Sequence, residues 1–353
     1  MSLEARLKER ILEHGPMTVA EYMTACLHDP AGGYYAAHPG LGPEGDFITA
    51  PLVSQMFGEL VGLWAAETWS RMGRPERFAL AEIGPGDGTL MEDVLRAGRA
   101  APGFLAAAEL WLVETSRPLR ALQAERLGPS VPRWTESLDA LPREIPLIVL
   151  ANEVLDCLPA RQFVRTGGRW CERRIGLDAE GKLAFGLGPA PSGFAAPAEA
   201  PEGVVVEISL AQENFAETLA ERIVRQGGAA LLIDYGRDRP GPGDTLQALK
   251  RHRKIDPLTA PGEADLTVHA DFPAVAAAAV RAGAQATAIR TQRDFLLALG
   301  VEQRARQLAR SRPDRADVVG RQLRRLIAPE EMGELFKALA IHAPGLELPG
   351  FES

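Results

Sequence analysis

Cysteine is scarce in this chain: Cys26, Cys157 and Cys171 are the only three. An odd count without CxxC spacing excludes a disulfide scaffold and a cysteine zinc site, and it predicts a reducing compartment. The six histidines form no HxxxH or HxH pair, so no metal site is expected. No apolar run reaches the roughly 20 residues that a membrane helix needs. The chain starts with an amphipathic pattern, MSLEARLKERIL, that lacks a signal-peptide core. A cytoplasmic protein without a membrane span is expected. Charge of one sign is not concentrated either: a net charge of −8 with 24% charged residues gives no nucleic-acid groove, while a basic partner stays open. Lysine is rare beside arginine, a bias of composition with no mechanistic content. At 353 residues the chain can bury one enlarged domain or two.

What is present is a glycine-rich turn. In FALAEIGPGDGTL, residues 78–90, the apolar run from Phe78 to Ala81 reads as a buried parallel strand ending near Glu82. Thr89 opens a segment of helical spacing, so Gly84, Gly86 and Gly88 sit where strand hands over to helix. Glycine suits that place because a Cβ would block both the positive φ angles and the approach of backbone N–H groups to a ligand. The dinucleotide fingerprint, G-x-G-x-x-G with an acid about twenty residues on, differs from the spacing here, which argues against a nicotinamide enzyme.

A second strand, Leu110-Trp111-Leu112-Val113, ends in Glu114, a carboxylate able to accept both hydroxyls of a ribose. Alone it reads equally well as a cap for the helix near Ser116; beside the glycine turn, ribose binding is the favoured role. A clear buried strand over 146–151 runs into Asn152 and Glu153, with Asp156 close behind. Carboxylates at the C-terminal tips of parallel strands converge on one crevice. Two acids on such a turn grip a cationic or hydrogen-bonding nucleophile; the alternative makes Asn152 a helix N-cap and leaves Asp156 solvated.

Elsewhere the pattern predicts helix, then an aromatic and glycine-rich loop, then helix over residues 3–69. A short third strand is expected within 127–134, a β-hairpin or meander over 161–187 and a proline-rich surface segment over 188–203. A helix over 210–224, a buried strand over 229–236, a helix over 271–282 and an edge strand over 284–291 follow. Strands alternating with helices predict a doubly wound α/β sheet. Asp46, in the GDFITAP stretch, either lids the cofactor or helps cap the next helix. Asp234-Tyr235-Gly236 faces substrate or is a plain turn, and His252 in a basic run reads as surface.

The glycine turn resembles motif I of the class I S-adenosylmethionine (SAM) methyltransferases. The blocks MTVAEYMTACLHDPAGGYY, GDFITAP, EIGPGDGTLMEDVLR, VETSRPLRALQ, ANEVLDCLPARQF, LLIDYG, GDTLQALKRH, ADLTVHADF and MGELFKALAI run in order along the chain. Together they resemble the MidA family, which includes the mitochondrial complex I assembly factor methyltransferases. The resemblance implies a Rossmann-like doubly wound α/β core with an N-terminal helical segment and inserted β and helical elements. Its divisions would be a covering segment at 1–75, a first core part at 76–160, an inserted hairpin and linker at 161–208, and a second core part with substrate-covering insertions at 209–353.

It also implies SAM as cofactor and, for the mitochondrial members in their matrix, dimethylation of an arginine in a respiratory complex I subunit. Asp46, Glu82, Gly84, Pro85, Gly86, Gly88, Thr89, Glu114 and Asn152 are the expected cofactor residues. Glu153 and Asp156 are expected to grip the substrate, with Asn152 orienting. The family's ANEFFDALP-like segment has Val154 and Leu155 here, which keeps the polar positions and loses aromatic bulk. A protein partner bearing the target arginine is expected, without nucleic acid or membrane span, and a homodimer is compatible with the sequence. A small-molecule N- or O-methyltransferase and a SAM-binding assembly factor remain as alternatives.

Overall fold

The computed structural model describes residues 1–37, 49–128, 130–192, 194 and 200–352. The chain forms two compact units, each assembled from three stretches of sequence. The first takes Met1–Phe47, Leu155–Gln212 and Arg239–His269; the second takes Ile48–Val154, Glu213–Asp238 and Ala270–Ser353.

In the first unit, helix α1, Leu3–His14, buries Leu3, Leu7 and Ile11 at spacings of four, one apolar stripe on one face. Helix α2, Val19–His28, starts with a reciprocal capping box: Glu21 N–H donates to Thr18 Oγ1 at 3.1 Å and Thr18 N–H to Glu21 Oε2 at 2.7 Å. The sequence predicts helix ahead of the loop that begins at Asp29, and the structure divides that stretch into α1 and α2, parted by the short strand Met17–Thr18. Both helices pack on a core containing Tyr22, Met23, Ile175, Ala248 and Leu266. The expected meander is present as antiparallel strands Arg161–Thr166, Arg169–Leu177 and Leu183–Pro189, joined by Met17–Thr18 and Val205–Ile208. A separate three-stranded antiparallel sheet has Gln247–Lys250 at its centre.

The second unit holds the large sheet. Its main strands are β1, Phe78–Ile83; β2, Ala108–Val113; β3, Arg133–Thr135; β4, Leu147–Asn152; β5, Gly228–Arg237; and β6, Phe336–His342. Across the sheet the order is β3-β2-β1-β4-β5-β6, then Gln285–Ala286. The first five are parallel to one another. Strands β1, β4 and β5 are near-continuous apolar runs because helices cover both faces of such a sheet. Chain order reverses between β1 and β4, which makes the gap above those two strands the switch point.

The sheet is mixed, because β6, buried throughout, runs antiparallel against β5 from Ala229↔His342 to Tyr235↔Phe336. The expected edge strand over 284–291 is two two-residue pieces, Gln285–Ala286 and Arg290–Thr291, both paired to β6. The third strand sits slightly later than expected, at Arg133–Thr135.

The helices that frame the functional edge are α3, Ala50–Val53; α4, Gln55–Arg71; and α5, Thr89–Gly98, which follows the glycine turn. Two more, α6, Val301–Ser311, and α7, Ala316–Ile327, lie between Arg290–Thr291 and β6. A buried ionic knot ties them: Glu59 of α4 accepts from Arg304 of α6 at 2.7 Å and from Arg96 of α5 at 3.2 Å.

Candidate functional site

The turn between β1 and α5 has three consecutive alternate residues in the left-handed region: Gly84 at φ 62°, Gly86 at 54° and Gly88 at 85°. Space is short as well, since a Cβ on Gly84 would stand 3.2 Å from Val154 Cγ2. Gly84 N–H donates to Val113 O at 3.1 Å, and Gly88 N–H donates to Pro85 O at 2.8 Å. Asp87 Oδ1 accepts from Thr89 N–H at 3.0 Å. The turn is thus fixed by its own backbone, with the N-terminus of α5 behind it, a favourable place for a carboxylate.

Glu82 is 3% exposed, and its Oε2 has no hydrogen-bond partner among the described residues. Burial, then the neighbouring charges of Asp87 and Glu114, push its carboxyl up to about 8, against a donated Met91 N–H that favours the charged form. Glu114, on the tip of β2, is also buried; Oε1 accepts from Ser116 N–H at 2.7 Å and Oε2 from Gln123 Nε2 at 3.3 Å. Burial raises this carboxyl too. An ionised carboxylate offers about four acceptor positions, so both oxygens keep capacity for further donors.

At the tip of β4, Asn152 donates from Nδ2 to Glu153 Oε1 at 3.0 Å, while its own Oδ1 is buried without a partner among the described residues. Ala50 N–H, at the start of α3, also donates to Glu153 Oε1, at 3.2 Å. Glu153 has φ 53°, a conformation that costs a non-glycine residue of order 1–3 kcal/mol and points to a functional constraint. Its own N–H donates to Ile233 O at 2.8 Å, so the chain turns here and no helix follows. Asn152 is therefore not a helix N-cap.

The structure brings Glu82, Gly84, Pro85, Gly86, Gly88, Thr89, Glu114, Asn152 and Glu153 along one edge of the second unit, where β1, β2 and β4 end. Asp156 belongs to the first unit, where it is buried and its carbonyl accepts from Val268 N–H at 2.9 Å. In that unit, Tyr35 Oη donates to Asp265 Oδ1 at 3.4 Å; burial, then Asp265, then Cys157 and Asp156, raise the phenol. Asp46 lies outside the described residues. Sequence reasoning missed Gln123. Fully buried, it donates from Nε2 to Gly86 O at 2.7 Å and to Glu114 Oε2, and its Oε1 accepts from Trp134 Nε1 at 2.8 Å. No spacing rule marks a glutamine that ties a turn to a strand tip in this way.

Residues 60–290 match a family described as S-adenosyl-L-methionine-dependent methyltransferases. The chain belongs to this methyltransferase family. It is 36% identical to the Drosophila melanogaster protein arginine methyltransferase NDUFAF7 homolog, covering 98% of this chain and 85% of that one. Identity to the human protein arginine methyltransferase NDUFAF7 is 35%, over 95% of this chain and 82% of that protein. A crystal structure from Burkholderia thailandensis, bound to S-adenosyl-homocysteine, is 30% identical with a TM-score of 0.84, covering 99% of this chain and 92% of that one.

This methyltransferase takes SAM as its cofactor, and the edge just described fits it chemically. Among the described residues, buried Glu82 Oε2 and Asn152 Oδ1 are acceptors without donors, and Thr89 Oγ1 is a buried hydroxyl in the same condition. A turn kept clear of side chains stands beside them. Such orphaned buried polar atoms cost stability unless a ligand pairs them. Among the described residues no group of acids, histidines and cysteines could hold a metal ion, and no helix is long and apolar enough to cross a membrane.

Proposed function

We propose that this methyltransferase modifies an arginine side chain of a partner protein, with a respiratory complex I subunit as the target class. The observation that carries this is near full-length identity to relatives named protein arginine methyltransferases, the Drosophila and human proteins among them. The strained acid at the β4 tip supports it: Glu153 is held at φ 53° on the edge of the second unit where β1, β2 and β4 end.

The cofactor supplies an electrophilic methyl carbon on a sulfonium. We assign Gly84, Pro85, Gly86 and Gly88, with the first turn of α5 and Thr89, to its amino acid end, and Glu82 to the charge of its ammonium. Glu114 is assigned to the ribose hydroxyls and Asn152 to the cofactor and to the orientation of Glu153.

An arginine guanidinium is protonated at any physiological pH, so an acid must grip it and pull its charge away from the nitrogen that reacts. Glu153, already oriented by Asn152 and Ala50 N–H, does this and receives the proton that leaves the methylated nitrogen. The relatives' names carry the word mitochondrial, and Cys26, Cys157 and Cys171 form no disulfide among the described residues, which suits a reducing compartment.

Incubation with methyl-labelled SAM and cell lysate, followed by hydrolysis of the labelled protein, tests the assignment. Methylarginine in a protein band is expected. Label confined to small molecules, or SAM binding with no transfer at all, would overturn it. Glu153→Gln should keep SAM affinity within about two-fold and lose transfer by at least about a hundred-fold, the scale of losing a positioned acid–base group.

A further inference from the structure

Residues 302–325 carry eight arginines against three acids, Glu302, Asp314 and Asp317, and no lysine. This net +5 sits in a chain of net −8, so the remaining residues total −13. The segment spans α6 and α7, and its apolar side is already used: Val301, Ala305, Leu326 and Ile327 are buried in the core of the second unit. Arg304 is used too, since it is paired with Glu59.

The other seven arginines are exposed. Three of them meet only exposed acids, at 3.7 Å for Arg306 with Glu302, 3.3 Å for Arg312 with Asp314 and 2.9 Å for Arg324 with Glu330. Arg310, Arg315, Arg321 and Arg325 have no carboxylate within 4.0 Å among the described residues. Arg306 and Arg310 also line a groove of about 400 Å³ with Gln303, Gln307 and Ser311.

This basic arm adjoins the proposed substrate acid through a single short helix. Helix α7 packs on α3, and Ser54 Oγ, just after α3, donates to Gln322 Oε1 at 3.4 Å. Ala50, the first residue of α3, is the one whose N–H holds Glu153.

We infer that the α6–α7 arm docks an acidic segment of the protein substrate, one that flanks the arginine presented to Glu153. The inference rests on the protein-substrate assignment above. Guanidinium forks pair carboxylates bidentately, and an unpaired set on an otherwise acidic molecule attracts a local acidic stretch. A long polyanion would also meet the net −13 of the rest of the chain. No large apolar side chain of residues 301–327 is exposed, so nothing is present to insert into a lipid surface.

The test uses the purified full chain and fluorescence anisotropy. The probes are a labelled peptide with one arginine followed by a run of glutamates, and the same peptide with glutamines in their place. The glutamate peptide should bind about ten-fold tighter at low salt, and the advantage should vanish in Arg310→Gln/Arg315→Gln/Arg321→Gln/Arg325→Gln with SAM affinity unchanged. The half variants, Arg310→Gln/Arg315→Gln and Arg321→Gln/Arg325→Gln, should each lose about three-fold. Equal binding of the two peptides, or an advantage that survives the fourfold variant, would overturn the inference. So would tighter binding to a single-stranded oligonucleotide or to phosphatidylglycerol vesicles. The assay needs no methyl transfer: acid-selective binding without any methylated protein removes the substrate assignment alone, and methylated protein without acid selectivity removes the docking surface alone.

Discussion

Glu172 and Glu82 are equally withdrawn from water, at 0% and 3% exposure, yet their surroundings are opposite. In the first unit, Glu172 receives Arg161 Nε on one oxygen at 2.6 Å and Arg174 on the other at 2.7 Å. In the second, among the described residues, Glu82 has no cation and an oxygen without a partner, with the charges of Asp87 and Glu114 against it. A buried carboxylate with two guanidinia closes a structural network. One left among like charges with an orphaned oxygen is a site waiting for a cation or donor from outside the chain. The same contrast separates Glu207, which accepts from Gln162, Thr245 N–H and Thr245 Oγ1, from Asn152, whose buried oxygen has no donor among the described residues.

The sharpest way to break this comparison is to remove each acid. Glu172→Leu strands two half-buried arginines, so chemical denaturation should show a loss of about 2 kcal/mol, less than a fully buried pair would cost because both guanidinia reach solvent. SAM affinity should hardly move. Glu82→Gln should do the reverse: calorimetry should show SAM affinity down about ten-fold while the ligand-free protein loses no stability at neutral pH. A Glu82→Gln variant that unfolds readily but binds SAM normally would make Glu82 structural and dissolve the distinction.

The titration of Glu82 gives a third effect, read on the ligand-free protein. A carboxyl raised in the folded state binds its proton there at pH values where the unfolded chain has released it, so this group's contribution falls as pH rises. The loss runs from its ordinary range near 4.5 up to about 8 and then levels off. Ligand-free wild-type protein should therefore lose stability across that window relative to Glu82→Gln, with the gap closed below pH 4.5. Parallel denaturation curves at acid and mildly alkaline pH measure it, and a gap that widens toward acid would contradict the burial of an uncompensated charge.

Legibility in the sequence followed the same division. Strands β1 and β4 and the glycine turn are readable because a strand buried on both faces leaves an unbroken apolar run, and a positive-φ turn leaves glycines. Strand β6 escaped because Phe336 to His342 includes Lys337 and His342, and a short run preceded by Met332 and Leu335 fits helical spacing as well as a strand. At the site, Glu82, Glu114 and Glu153 are legible as acids closing strands. The strain at Glu153, the hold of Ala50 on it and the role of Gln123 depend on residues brought together across the fold, which no local pattern records.

Gln123 belongs to both sides of the comparison, which makes it the finest probe. Its carbonyl closes a structural contact with Trp134, while its amide is shared between Gly86 O and Glu114 Oε2, so it sets the distance between the cofactor turn and the ribose acid. Gln123→Ala leaves a half-buried indole N–H and a turn carbonyl unpaired and should cost about 1–2 kcal/mol of stability. Its effect on SAM affinity should be smaller, about three-fold, because Ser116 N–H still orients Glu114. Gln123→Glu keeps the acceptor for Trp134 but replaces the amide donor with a third acid beside Glu82 and Glu114. It should bind SAM more weakly than Gln123→Ala despite its closer shape. If calorimetry ranks the two variants the other way, the amide's donation to Glu114 is not what positions the ribose acid, and Gln123 is only a packing contact.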